Sequence, residues 1–284
     1  MYCNLFVHEK QIIINLLCEI CYMNLLSSDR VNGSKPSFDQ LNSISKEMES
    51  KSAKEVIRWA LESYTPHVAL ASSFGAEDAV LIDLICEIDG AHARIFTLDT
   101  GRLNQETYDV MEEVRKKYGV TIEVFFPDSP QVEEMVTQKG INLMYGSIEN
   151  RKLCCKIRKV DPLKRALTGL ECWITGLRRE QTITRNEIKK IEIDSAHGNI
   201  VKLNPLADWT SDQIWKFIKD NEIPYNKLHD LGYPSIGCAP CTRAVKPGED
   251  SRAGRWWWEN SSHKECGLHW DPVKNKSDRS SNVN

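Results

Sequence analysis

No stretch of the chain is apolar for long enough to cross a bilayer. The best candidate, Ile12 to Leu26, is interrupted by Asn15, Glu19 and Asn24 and falls short of the roughly 20 apolar residues a spanning helix needs. The same N-terminus lacks the marks of a secretory signal, because Glu9 stands where basic residues belong and no small-x-small cleavage site follows. Charge of one sign is missing too. With 37 basic against 40 acidic residues the net charge is −3, so nothing global drives binding to nucleic acid or to a membrane, and no DNA-binding helix pair is evident. Internal repeats are absent, which excludes a solenoid. The ten cysteines do not form a disulfide framework either. They fall as an adjacent pair, a C-x-x-C and singles, a pattern of metal or redox chemistry in a reducing compartment, and the chain is read as cytoplasmic.

What is present fits one large domain. At 284 residues and 41% hydrophobic content the chain can bury a sizeable core. Residues 1–34 are read as an extension outside the fold, from an upstream start codon for instance. Cys3, Cys18 and Cys21 therefore carry no assigned role, although Cys18-x-x-Cys21 has metal-binding spacing. A polar linker covers 27–37, a single domain spans 35–270, and the polar tail 271–284 reads as disordered. Within the domain a helix is expected from Phe38 to Leu61, and strands at Val68–Ser72, Ala93–Leu98, Thr121–Phe126 and Cys172–Thr175. Helices are expected at Glu77–Ile88 and Asn104–Tyr118, with helical segments from Pro130 to Leu167. Ile188–Asp194 and Ile200–Leu203 suggest a further strand or hairpin through His197-Gly198-Asn199, and Trp209–Asn221 an amphipathic helix. This alternation defines an α/β fold with an open, mainly parallel twisted sheet and flanking helices. The segment 224–270 is loop-rich.

Ligands of such sheets bind beyond the carboxyl ends of the strands. Two loops fall there: Ser72-Ser73-Phe74-Gly75-Ala76-Glu77-Asp78 and Leu98-Asp99-Thr100-Gly101-Arg102. Small residues before a helix let its N-terminal amides approach an anion, although such loops more often serve as simple caps. A basic stretch, Arg151 to Arg165, holds seven cations against Asp161 and suggests a small anionic ligand; a solvated helix face is the plainer alternative. Cys154-Cys155 lies inside that stretch, and Cys238-x-x-Cys241 in a Gly/Pro loop. Four cysteines in two pairs can ligate zinc or an iron–sulfur cluster. Adjacent side chains on a helix diverge by roughly 100°, which suits separate corners of a cluster better than one tetrahedral ion. Cys86 and Cys172 fit simple packing. Cys266 stands apart in Glu265-Cys266-Gly267-Leu268-His269.

S-S-F-G-A-E-D followed by L-D-T-G-R, with C-C, C-x-x-C and E-C-G-L-H, resembles the adenylyl-sulfate and phosphoadenylyl-sulfate reductase family, of adenine-nucleotide alpha-hydrolase-like fold, from about Val56 to Trp270. The loop departs from the S-G-G-x-D-S of the related ATP pyrophosphatases, which speaks against ATP cleavage. The resemblance implies a [4Fe–4S] cluster on Cys154, Cys155, Cys238 and Cys241, and Cys266 as the nucleophile that attacks sulfur. It implies substrate contacts from Ser72, Ser73, Phe74, Gly75, Leu98, Asp99, Thr100, Gly101, Arg102, Lys159, Arg178, Arg179, Arg185, Arg252, Arg255 and His269. Arg178 and Arg179 are not distinguished from one another. The implied reaction is reduction of adenylyl sulfate to sulfite and AMP through an S-sulfocysteine, with thioredoxin or a glutaredoxin-like protein as reductant. Plant-type relatives carry a fused thioredoxin-like domain; this chain ends eighteen residues after Cys266, so an external reductant is expected. The alternatives are a phosphoadenylyl-sulfate reductase, an ATP-using enzyme of the same fold and an iron–sulfur redox sensor. Homo-oligomer formation is compatible with the sequence, which does not specify it.

Overall fold

The computed structural model describes residue 36, residues 38–182 and residues 185–259. The chain divides into two units, Met1–Ser43 and Ile44–Asn284. Among the described residues the first contributes little more than the opening of helix α1 (Phe38–Met48); the second holds the sheet and everything below.

The continuous helix expected from Phe38 to Leu61 is two helices, α1 and α2 (Ala53–Tyr64). The break has a local cause. Ser52 caps α2 by accepting from the Glu55 N–H at 3.3 Å, while Glu55 accepts from the Ser52 N–H at 2.8 Å, a reciprocal box that fixes a helix start. Strand β1 (Val68–Ala71) leads to α3 (Ala76–Asp89), β2 (Ile95–Leu98) to α4 (Gln105–Tyr118), and β3 (Ile122–Phe125) to α5 (Ser129–Lys139). Helix α6 (Ile148–Cys155) continues through a π-helical turn, Lys156–Val160, into α7 (Asp161–Ala166). Then come β4 (Cys172–Ile174), β5 (Ile191–Asp194), β6 (Ile200–Leu203) and α8 (Ser211–Asp220).

The six strands run in the order β3-β2-β1-β4-β6-β5, all parallel except β5, which pairs antiparallel with β6. The hairpin foreseen there turns through Gly198 and Asn199, both at positive φ. Ala69, Phe96 and Trp173 project to the face covered by Leu163 and Ala166 of α7, with Leu167 and Leu170 beyond it. Helix α2 packs on α3 and on β1, and α8 packs on α3. Central parallel strands are covered on both faces, which is why Val68-Ala69-Leu70 reads as an unbroken apolar run. From β1 the chain steps outward to β2 and β3, then returns to place β4 on β1's other side. The order therefore reverses between β1 and β4, where such sheets leave a crevice for a ligand. Among the described residues no helix is long and apolar enough to cross a membrane.

Candidate functional site

A cavity of about 410 Å³ opens at that reversal point. Its floor is apolar, from Ala71, Phe96, Leu98, Leu163 and Trp173; its walls are polar. The loop after β1 builds one wall. Ser73 donates through its N–H (2.6 Å) and hydroxyl (2.8 Å) to Asp78 Oδ2, and the Phe74 N–H donates to Ser72 Oγ at 3.1 Å. These bonds hold Phe74 at φ 58°, a left-handed conformation costing a bulky residue about 1–2 kcal/mol. The Phe74 ring is buried and does not line the cavity, whereas Ser72, Ser73 and Gly75 do. No side chain caps α3 at Gly75, and Gly75 lines the cavity with Glu77 and Asp78 of the helix's first turn. Burial pushes the Asp78 carboxyl up to about 6, against the pull of its bonds to Ser73.

The loop after β4 builds the facing wall. Gly176 approaches so closely that a Cβ there would lie 2.6 Å from Asp78 Oδ1 and 2.9 Å from Glu77 Cβ, so only glycine fits. Arg178 donates to Glu77 Oε1 and Glu180 Oε2, each at 2.8 Å, and to the Trp209 carbonyl at 3.1 Å. Gln181 also donates to Glu77 and accepts from Arg185. The sequence left Arg178 and Arg179 level; the structure separates them. Arg178 lines the cavity, whereas Arg179 turns away to the Ile188 carbonyl and to Glu49, 2.6 Å from its carboxylate.

The third wall comes from the loop-rich segment. Arg255 lies against Gly237, donates to Ser235 Oγ and to the Ile236 carbonyl, and stacks 5.0 Å from the Trp256 ring centre. Arg252, Lys159 and Arg185 also line the cavity. Within the basic stretch 151–165 Lys159 is the one cation that does so. Arg151 is buried in an ion pair with Glu259 at 2.7 Å, Lys156 pairs with Asp161, and Arg158 donates to the Thr100 carbonyl at 2.6 Å.

The loop after β2 departs from expectation. Of its five residues only Leu98 lines the cavity. Asp99 accepts from the Gly101 N–H and the Tyr108 hydroxyl; Arg102 binds the Ile141 carbonyl and Asn142. Thr100 Oγ1 lies 3.2 Å from Cys238 Sγ, and the Ala239 N–H donates to the Arg102 carbonyl. This loop therefore anchors the cysteine segment. Cys154 and Cys241 pack with Met135, Leu143, Met144 and Trp256 in one buried cluster, with Cys238 against it and Cys155 half-buried beside it. Burial pushes the Cys241 thiol up to about 12. Among the described residues no group of three or more His, Cys, Asp or Glu side chains is arranged to hold a single metal ion. Cys172 is wholly buried on β4 and Cys86 partly buried on α3, where they act as packing residues. Cys266 and His269 lie outside the described residues.

Sequence reasoning missed Glu77, Glu180 and Gln181, the groups that hold Arg178, and it missed Trp173 on the cavity floor and His229 in its lining. Glu77 was quoted within its loop but had no partner in sight. His229 gave no local signal at all.

An open parallel sheet, a cavity at its reversal point, helix amides on one wall and cations on another together define a nucleotide-binding α/β domain. Residues 67–244 match the phosphoadenosine phosphosulfate reductase domain. The chain belongs to that family. It is 52% identical over 202 residues to the adenosine 5'-phosphosulfate reductase of Allochromatium vinosum, covering 71% of this chain and 78% of that protein. It is 44% identical over 249 residues to the chloroplastic 5'-adenylylsulfate reductase 1 of Arabidopsis thaliana, covering 85% of this chain and 53% of that one. Among solved structures, the phosphoadenylyl-sulfate (PAPS) reductase of Candida auris in its phosphate complex superposes with a TM-score of 0.63 at 29% identity, over 74% of this chain and 98% of that one.

Proposed function

We propose that this chain reduces adenylyl sulfate to sulfite and AMP in assimilatory sulfate reduction. The observation that carries the reading is a junction: one π-helical turn bears Lys159 on the cavity wall and follows directly from Cys154 and Cys155. An anion-binding cavity and a thiol cluster are thus parts of one site.

The chain supplies the nucleophile and the cations for the first step, and an external dithiol supplies the electrons. The Cys266 thiolate attacks the sulfur of the bound mixed anhydride; an S–S bond forms as the S–O bond to AMP breaks, and AMP leaves with that electron pair. Repulsion between thiolate and sulfonyl oxygens is offset by cations, for which Lys159, Arg252 and Arg255 are the candidates. A thiol of thioredoxin, or of a glutaredoxin-like protein, then attacks the Cys266 sulfur and sulfite departs with the bonding pair. The reductant's second thiol resolves the mixed disulfide, so its dithiol ends oxidised and both electrons are accounted for. This chemistry suits a reducing, cytoplasmic setting.

Cys154, Cys155, Cys238 and Cys241 are the residues that would hold a [4Fe–4S] cluster. Two features of the chain fit one. Cys154, Cys238 and Cys241 come together around one buried cluster, and Cys155 follows Cys154 in the chain. The Trp256 indole N–H is buried in the same cluster and has no partner among the described residues, a donor left for a sulfur acceptor. When bound, such a cluster supplies local charge that shapes the field of the site, since the thiols already carry the electrons.

The test is an assay of anaerobically purified protein on adenylyl sulfate and on phosphoadenylyl sulfate, with sulfite and AMP measured. Turnover of adenylyl sulfate is expected, and preference for the 3'-phosphorylated nucleotide points to the alternative reductase. Cys266→Ser should bind nucleotide but give no covalent adduct by mass spectrometry; normal turnover by that variant refutes the mechanism.

A further inference from the structure

Two polar atoms of the described cavity-lining residues are buried without a partner, Arg255 Nε and His229 Nε2. The first belongs to a guanidinium engaged elsewhere and suited to an anion. The second is different in kind. His229 sits in the 3-10 turn Lys227–Leu231, which is fixed by Asn226: its amide donates to Thr107 Oγ1 at 3.0 Å and its Oδ1 accepts from the Leu228 N–H at 3.1 Å. The imidazole is held edge-on to Trp215, with ring centres 5.1 Å apart. Burial lowers its pKa, opposed by the Glu77 charge and by a contact with the Tyr233 backbone that favours the proton. In the neutral tautomer with the proton on Nδ1, Nε2 is a lone pair. An unmatched buried acceptor costs about 1–3 kcal/mol, so this one is arranged for a donor that arrives with the ligand.

We propose that His229 contacts the substrate, with Nε2 accepting a hydrogen bond from the nucleoside half of the nucleotide. The assignment rests on the reading above that the cavity takes an adenylyl nucleotide. The chemistry of such a ligand selects the half. Phosphate and sulfonyl groups carry only acceptors at neutral pH, whereas ribose hydroxyls and the adenine amine donate. His229 shares the cavity lining with Glu77, whose charge is matched to Arg178, and with Lys159, Arg252 and Arg255, the cations proposed above for the sulfonyl group. His229 is thus a specificity residue for the nucleoside.

Calorimetric titration with AMP, 2'-deoxy-AMP, 3'-deoxy-AMP and the purine ribotide lacking the amine tests this without requiring turnover. The wild-type protein should lose about 5- to 20-fold in affinity for one of the three analogues. His229→Phe keeps the ring contact with Trp215 but removes the acceptor. It should lose a similar factor for AMP and show no further loss for that analogue. His229→Gln, whose amide oxygen can reach the Nε2 position, should recover most of the affinity, which an effect on folding alone would not do. AMP affinity in His229→Phe within twofold of wild type overturns the assignment, as do equal losses on all four nucleotides. A wild-type protein that binds no AMP and turns over no adenylyl sulfate sinks the parent reading; normal wild-type behaviour with an indifferent His229→Phe sinks this one alone.

Discussion

The two halves of the site are built on opposite principles. On the cavity wall Arg178 is matched to Glu77 and Glu180, Asp78 to Ser73, and Gln181 to Glu77 and Arg185. A few kilocalories per mole of internal hydrogen bonds hold that wall in shape before any ligand arrives. In the cysteine half Cys154 and Cys241 are packed among apolar side chains, Cys154, Cys155, Cys238 and Cys241 form no disulfide, and the Trp256 N–H has no acceptor among the described residues. A buried donor without an acceptor is costly, and the proposed cluster would supply one. One wall is preorganised and the other incomplete. The two should therefore respond differently to mutation.

The largest effect is expected on the incomplete side. Cys155→Ser should strip the anaerobically purified protein of most of its iron and acid-labile sulfide and bleach its broad visible absorbance; unchanged iron content rules the ligand assignment out. On the preorganised side, Glu77→Gln leaves the buried Arg178 guanidinium with a weaker partner set. A loss of about 2–4 kcal/mol in chemical denaturation is expected, with weaker nucleotide binding, and no loss of iron. Equal iron loss in both variants would erase the distinction between the halves. Gly176→Ala forces a methyl against Asp78 and Glu77 and should cost about 1–3 kcal/mol, read as a lower midpoint with an unchanged denaturant slope.

The smallest effect is a slope with pH. Asp78 has a folded-state pKa of about 6, above the roughly 3.9 of a free aspartate. A raised carboxyl binds its proton more tightly in the folded state. Its contribution is therefore fully present below about 3.9 and is lost as pH climbs through about 6. Stability should fall over that window, and Asp78→Asn should flatten the fall by one proton's worth. If the slope survives in the variant, the carboxyl responsible lies elsewhere.

Much of this was legible in the residues themselves. The β1–α3 alternation is a local pattern of apolar runs and small-residue turns, so strands and helices declared themselves within a few residues, as did the hairpin at Gly198-Asn199. The split of the first helix has a local signature too, the Ser52-x-x-Glu55 spacing of a capping box. The partners of the L-D-T-G-R loop were not legible in its sequence. Its position after a strand places it at the ligand edge, yet its hydrogen bonds go to Ile141, Asn142 and the cysteine segment, partners far away in sequence.

The sequence by itself determined the class of fold, the pairs of cysteines and the basic character of the segment around them, because each is a matter of short-range order or composition. Only the tertiary structure decided that Arg178 enters the cavity while Arg179 leaves it, that Glu77 neutralises the former, and that His229 carries an unmatched acceptor. Those outcomes depend on which groups are brought together from opposite ends of the chain, and neighbours in space leave no trace in the order of the residues.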